Sequence, residues 1–204
     1  MVYIYKLSSA PHWRCYVGED KYENEELLKV GWEEDIWFHV DTVSSCHCYL
    51  RLPSDVSWEN IPATVLTEVG QLVKLNSITG NKLPHVNVIY SPFSNLRKEK
   101  GSDIGAVSFF DRKSVKKFLV EGRRRDLTNV TMKTRIEVPL ETLQRETDQN
   151  NALRRQQAKE HAEEAARKEK LQKQDEIRLK HERSYASLMQ SITPVSSVDE
   201  DDFM

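Results

Sequence analysis

The chain has 204 residues, 30% charged and only 38% apolar, which suits one ordinary domain plus a stretch that cannot be core. Its net charge of −2 hides an asymmetry: twelve Lys/Arg against five Asp/Glu between Arg97 and Arg135, eight acids against four bases in the first 35 residues, and four acids in the last six. No long apolar run, Walker loop or Rossmann glycine fingerprint is present and the cysteines number three, so a cytoplasmic, reducing setting is expected, with no membrane segment, disulfide framework, nucleotide-driven chemistry or cofactor.

Val2-Tyr3-Ile4-Tyr5 and Arg14-Cys15-Tyr16-Val17 read as a hairpin whose connection holds Ser8, Ser9 and Pro11. Asn24 is placed to cap a short helix from Glu25 to Val30, which Gly31 stops. Asp35-Ile36-Trp37-Phe38-His39-Val40 is an aromatic-rich strand, followed by a polar turn with Asp41, Ser44 and Ser45 and by a second strand, Cys46-His47-Cys48-Tyr49-Leu50-Arg51. At period 2, Ile36, Phe38 and Val40 share a core face, while Asp35, Trp37, His39 and Asp41 share a face able to meet a ligand. Cys46 and Cys48 then fall on the packing side and His47 on the polar side, an alternation that argues against a metal site shared with Cys15.

Ile61, Val65, Leu66, Val69, Leu72 and Val73 recur at helical spacing and mark the principal helix. Strands are predicted from His85 to Tyr90, Gly105 to Phe110 and Lys116 to Val120. The fold class is therefore α+β: a largely antiparallel sheet packed with one principal helix and a short one. From Glu141 to about Arg183 there is no Gly or Pro, which predicts a long charged helix of roughly 60 Å at 1.5 Å per residue. Leu143, Leu153, Leu171, Ile177 and Leu179 are too sparse for a sustained heptad seam, so no obligate homo-oligomer is expected. The predicted division is a domain over 1–138, a charged helix over 139–185 and an acidic disordered tail over 186–204.

Two constellations could carry function. The first is basic: Arg97, Lys98 and Lys100 in one loop, Arg112 and Lys113 in a turn, and Arg123, Arg124 and Arg125 at the end of the last predicted strand, all expected to converge on one rim. A local belt of this kind points to a polyanion, since guanidinium forks suit phosphate, although a solvated surface would share its composition. Phe93, Trp37 and Tyr90 are possible stacking surfaces, each also suited to a core. The second constellation is Asp35, His39, Asp41 and His47 with Ser44 and Ser45, sufficient for acid–base chemistry but equally suited to capping the turn and satisfying buried backbone.

Asp35-Ile36-Trp37-Phe38-His39, then Ser45, His47 and Arg51, resembles the pattern of the NFACT-R family of RNA-binding domains. Lys21-Tyr22-Glu23-Asn24-Glu25, Val86-Asn87-Val88-Ile89-Tyr90-Ser91-Pro92, Ser94-Asn95-Leu96 and Gly105 agree with it, so the resemblance covers about residues 1 to 120. Arg183-Ser184-Tyr185-Ala186-Ser187-Leu188-Met189 and the close Asp201-Asp202-Phe203-Met204 narrow it to the stand-alone, coiled-coil-containing members. The resemblance implies RNA binding, with ribosomal RNA of the large subunit or tRNA, and ribosomal proteins, as partners. It adds His47 and Arg51 to the candidate RNA contacts. It also implies a setting in translation quality control on large subunits that carry stalled peptidyl-tRNA. Tail elongation is not implied, because the NFACT-N and helix-hairpin-helix segments of the larger members are not among these residues. Two rival readings stand beside it: a hydrolase or nuclease that releases the nascent chain through His39, His47 and nearby acids, and a general nucleic-acid receptor or scaffold resting on charge alone.

Overall fold

The computed structural model describes residues 1–191, with side chains to residue 187. A first compact unit spans Met1–Gln149 and a second begins at Asn150. Strands β1 (Val2–Lys6) and β2 (Arg14–Gly18) form the expected hairpin, followed by helix α1 (Lys21–Val30), β3 (Ile36–Val40), β4 (Cys48–Arg51) and helix α2 (Ala63–Leu75). Then come β5 (Val86–Pro92), the short β6 (Leu96–Arg97) and β7 (Ser108–Phe109), β8 (Lys116–Val120), α3 (Arg125–Lys133), β9 (Ile136–Val138) and α4 (Leu140–Ser191). Seven strands form one sheet in the order β8-β5-β3-β4-β2-β1-β9 with antiparallel pairings throughout, and β6 pairs with β7 separately. The fold is α+β.

Period-2 alternation gives the sheet two apolar faces. Phe38, Val40, Cys15, Cys48 and Leu50 pack under the stripe of α2 formed by Val65, Val69, Leu72 and Val73. On the other face Trp37, Tyr49, Tyr16 and Val2 pack with Leu27 and Val30 of α1 and Leu143 of α4. The face expected to be open to ligand is thus largely covered, and the strand pair at its centre is buried on both sides.

Several local expectations change for identifiable reasons. Asp20, not Asn24, caps α1, accepting from the backbone N–H groups of Tyr22 and Glu23 at 2.9 Å each. Asn24 instead lies buried inside the helix, where a Cβ on Gly18 would come within 2.7 Å of its Oδ1. The predicted strand over 105–110 shrinks to β7, because Gly105 takes φ +80° and the chain turns before it pairs with β6. Between residues 121 and 138 the chain forms α3 and the edge strand β9, neither of which was predicted. Polar contacts hold α3: Thr131 Oγ1 donates at 2.5 Å to Glu68 in the middle of α2. That carboxylate also accepts from the N–H and hydroxyl groups of Ser8 and Ser9 at 2.6–3.0 Å. Burial works against its charge, but these donors prevail and lower its pKa.

The first unit runs past residue 138 to Gln149, because the first turns of α4 carry Leu143, 1% exposed, and Thr147, whose hydroxyl meets the Val30 carbonyl at 2.5 Å and the Trp32 indole N–H at 3.1 Å. Beyond it α4 is exposed along nearly its whole length, with pairs such as Lys168–Glu164 and Lys173–Glu169 at helical spacing. The helix continues to Ser191, beyond the predicted end at 185, and residues 192–204 of the predicted tail lie outside the described residues.

Candidate nucleic-acid interface and its supporting polar cluster

A buried polar cluster centres on Asp35, fully buried where the chain enters β3. Its Oδ1 accepts from Arg51 Nε at 2.9 Å, and its Oδ2 accepts from Arg51 Nη2 and Trp32 N at 2.9 Å and from the Tyr16 hydroxyl at 2.6 Å. Arg51 Nη1 reaches Glu146 of α4 at 3.1 Å, and Arg14 binds the same carboxylate. The Arg51 guanidinium also lies over the Trp32 ring, 3.7 Å from its centroid. Burial opposes the Arg51 charge, yet the Asp35 hydrogen bonds and charge outweigh it and raise its pKa. Both ends of this fork are committed, so Arg51, expected among the RNA contacts, instead ties β4 to α4. Asp35, a catalytic candidate, has no exposure, and its two oxygens already accept from four donors within the protein.

His39 and His47 do come together. The rings lie 5.5 Å apart and nearly perpendicular, and both contact Trp37: His39 parallel to it at 5.4 Å and His47 edge-on at 5.3 Å. His47 is 4% exposed, and burial first, then the neighbouring His39, push its pKa down to about 3. His39 is lowered as well, chiefly by burial, although its Nδ1 sits 2.6 Å from the Val40 carbonyl. Both imidazoles are therefore neutral at pH 7, which removes them as phosphate-binding cations. Asp41 lies at the exposed rim of the same group, paired with Lys117 at 3.1 Å. The register explains the pairing, since Lys117, Ile89 and His39 stand in one row across β8, β5 and β3.

The basic residues separate into three sets. Lys98 is held internally: its ammonium donates to Glu25 at 2.7 Å and to the carbonyls of Asp103 and Ala106, pinning the loop between β6 and β7. That bond is the main reason the Glu25 pKa is lowered. Arg97, Lys100, Arg112 and Lys113 are exposed on and beside the β6–β7 hairpin, with the Arg97 guanidinium 6.0 Å from the centre of the Phe110 ring. Arg123, Arg124 and Arg125 follow the far end of β8, where Arg124 pairs with Asp126 and α3 begins. Arg112 and Lys113 precede β8 and the arginine triplet follows it, so at about 3.3 Å per residue the strand alone holds the two sets roughly 13 Å apart. The single rim expected from the sequence is two separate basic sites.

The aromatic expectations shift in the same way. Trp37 and Tyr90 are core, and Phe93 packs against Tyr49, whereas Phe110 is 69% exposed beside Arg97. Lys117, Glu146 and Trp32 were missed. Period 2 from His39 and Ile89 pointed to Lys117 only once the pairing was known, and nothing in the local sequence joins Glu146 to Arg51.

The NFACT protein RNA-binding domain matches residues 1–111. Coiled-coil domain-containing protein 25 of Bos taurus is 40% identical over 204 residues, 99% of this chain and 98% of the relative. The chain belongs to the NFACT RNA-binding domain family. The yeast protein JLP2 of Saccharomyces cerevisiae is 35% identical over 144 residues, 68% of this chain and 69% of that one. Among solved structures, the C-terminal part of the fibronectin/fibrinogen-binding protein from Streptococcus suis shares the fold, with a TM-score of 0.52 and 20% identity over 63% of this chain and 48% of that one. Family membership supports RNA as the class of partner, and no helix among the described residues is long and apolar enough to cross a membrane.

Proposed function

We propose that this protein is a cytoplasmic RNA-binding factor of translation quality control that docks on the large ribosomal subunit, meeting ribosomal RNA or a stalled peptidyl-tRNA through the β6–β7 hairpin. The observation that carries this reading is the grouping of Arg97, Lys100, Arg112 and Lys113 around one exposed hairpin with Phe110 at its edge. Guanidinium forks and ammonium groups suit phosphates, and an exposed ring beside them suits an unpaired base. The Arg123–Arg125 set offers a second phosphate site and the charged α4 a further contact along RNA or ribosomal protein. Co-sedimentation with purified large subunits at increasing salt tests the reading. Arg112→Ala/Lys113→Ala is expected to lower the retained fraction, and equal retention by the variant and wild type would count against the hairpin.

A second reading, nascent-chain release by hydrolysis or RNA cleavage, is favoured by one observation: His39, His47 and Asp41 line a common cavity. A release assay on purified stalled complexes, with His39→Asn and His47→Gln, decides it. Release that is absent in wild type, or unchanged in both variants, removes the enzymatic role.

A further inference from the structure

Between the β6–β7 hairpin and the β8 end of the sheet lies a cavity of about 520 Å³. Ligand pockets run from about 300 to 1,000 Å³, so its size is ordinary for one. Its apolar lining is Ile89 of β5, Val115 just before β8, and Val107 and Phe109 of the hairpin segment, all half-buried and therefore within reach of solvent. At period 2 Val115 shares a sheet face with Lys117, which stands opposite Ile89. Phe109 is braced from behind by Trp37, edge-on with ring centres 5.7 Å apart. Four charged side chains, Asp41, Glu99, Arg112 and Lys117, stand exposed around this floor.

The charged groups differ in what they have left to offer a guest. Asp41 and Lys117 satisfy each other at 3.1 Å. Glu99 is held beside β7 by the Ser108 hydroxyl, which donates to its Oε1 at 3.1 Å, and its Oε2 has no donor among the described residues. The Arg112 guanidinium has no ion-pair or hydrogen-bond partner among the described residues. The cavity thus combines an apolar floor, a carboxylate that can only accept and a guanidinium that can only donate. The matching guest has a flat apolar face, hydrogen-bond donors along one edge and an anion elsewhere. Of the four RNA bases, guanine alone carries two neighbouring donors on one edge, N1–H and the N2 amino group. Adenine, cytosine and uracil each set a donor beside an acceptor there, and that acceptor repels a carboxylate.

We propose that this cavity receives one unpaired guanine nucleotide of RNA, its base face on the Ile89, Val107, Phe109 and Val115 floor, its N1–H and N2 amino group on Glu99 and its phosphate on Arg112. The inference rests on the RNA-binding reading and adds a sequence preference to it, since base edges specify where phosphates only position. The guanine has to be unpaired, because in a duplex cytosine occupies the same edge.

The test titrates the full-length protein with fluorescently labelled U-tract RNAs that differ only in a central G, inosine, A or C. Inosine is the guanine nucleoside without its N2 amino group. The G oligomer is expected to bind about tenfold more tightly than the A and C oligomers, the lower part of the range for a bidentate base contact, with inosine in between. Glu99→Gln keeps an oxygen for Ser108 but replaces the second acceptor with a donor, and should abolish the preference for G. Arg112→Ala should weaken all four oligomers by a similar factor and leave the preference intact, as expected for a phosphate contact. Both residues are exposed, so neither change threatens the fold. Equal affinities for the four oligomers, or a preference for G that survives Glu99→Gln, would overturn the guanine site and leave RNA binding in place. Failure to bind any of the four at low salt would remove the RNA-binding reading and the site with it.

Discussion

At the scale of single residues, Arg51 joins two carboxylates from distant parts of the chain, Asp35 and Glu146, while stacked on Trp32. Asp35→Ala would leave a nearly buried guanidinium with one partner fewer, and is expected to cost about 3–5 kcal/mol in urea unfolding, the range for one broken half of a buried pair. The double change Asp35→Leu/Arg51→Met should recover part of that loss, because it removes the stranded charge as well. His47 carries the opposite kind of sensitivity. Its pKa falls from about 6.5 in the unfolded chain to about 3 in the fold. The unfolded chain therefore binds the proton first. The contribution of neutral His47 to stability is complete above pH 6.5 and is lost as the pH falls toward 3, with a slope approaching about 1.4 kcal/mol per pH unit in mid-range. His39, also lowered, adds in the same direction. Urea midpoints measured from pH 7 to pH 4 should drop steeply for wild type and less steeply for His47→Gln; parallel curves would show that His47 is not the group responsible. Because its ring is buried against Trp37, His39 and Tyr49, His47→Ala is expected to lower the melting temperature, as is Cys48→Ala on the opposite face.

Among the elements, the start of α4 governs where the domain can be cut. A fragment ending at residue 138 loses Leu143, Thr147 and the Glu146 contacts to Arg14 and Arg51. Loss of the Leu143 side chain alone is worth about 2–5 kcal/mol by analogy with large-to-small core changes. Thermal melts should therefore show 1–149 close to the full chain and 1–138 markedly lower, and equal melting of the two fragments would show that α4 adds nothing to the first unit. Strong local patterns made the central strands and α2 legible in the sequence: alternation around Trp37 and Tyr49, and a helical stripe from Val65 to Val73. The same alternation placed Cys48 and His47 on opposite faces correctly. It could not show that the polar face was covered, because the cover comes from α1, the β6–β7 region and α4. Helix α3 went unread for a different physical reason: its fully buried positions are Thr128 and Thr131, the latter bonded to Glu68, rather than a run of large apolar residues. The candidate site was legible as a set of residue types but not as a set of contacts, since Arg51 and Lys98 are consumed by Asp35 and Glu25, partners that no local spacing reveals.

For the whole molecule, a net charge of −2 coexists with local basic sites, so polyanion binding has to depend on where cations stand rather than on how many there are. Two such sites lie at opposite ends of β8, a placement that predicts separable contributions to RNA affinity. Each phosphate contact contributes about 0.7 to 0.9 to the slope of log affinity against log salt, the smaller value applying to single strands. If the β6–β7 hairpin is the docking surface, Arg112→Ala/Lys113→Ala should reduce the slope for a single-stranded RNA by about 1.4. If the arginine triplet grips a second stretch of the same strand, Arg123→Ala/Arg125→Ala should reduce it by a similar amount, and the combined variant by the sum, because sites this far apart do not share partners. Arg124 is left in place because its side chain pairs with Asp126 and its backbone N–H binds Gln71 at the start of α3. RNA length separates the two sites further. An oligomer too short to span β8 should respond to the hairpin variant and ignore the triplet variant, whereas a longer one should respond to both. A short oligomer equally sensitive to both pairs would mean that the two basic sets act as one surface, contrary to their placement across the strand.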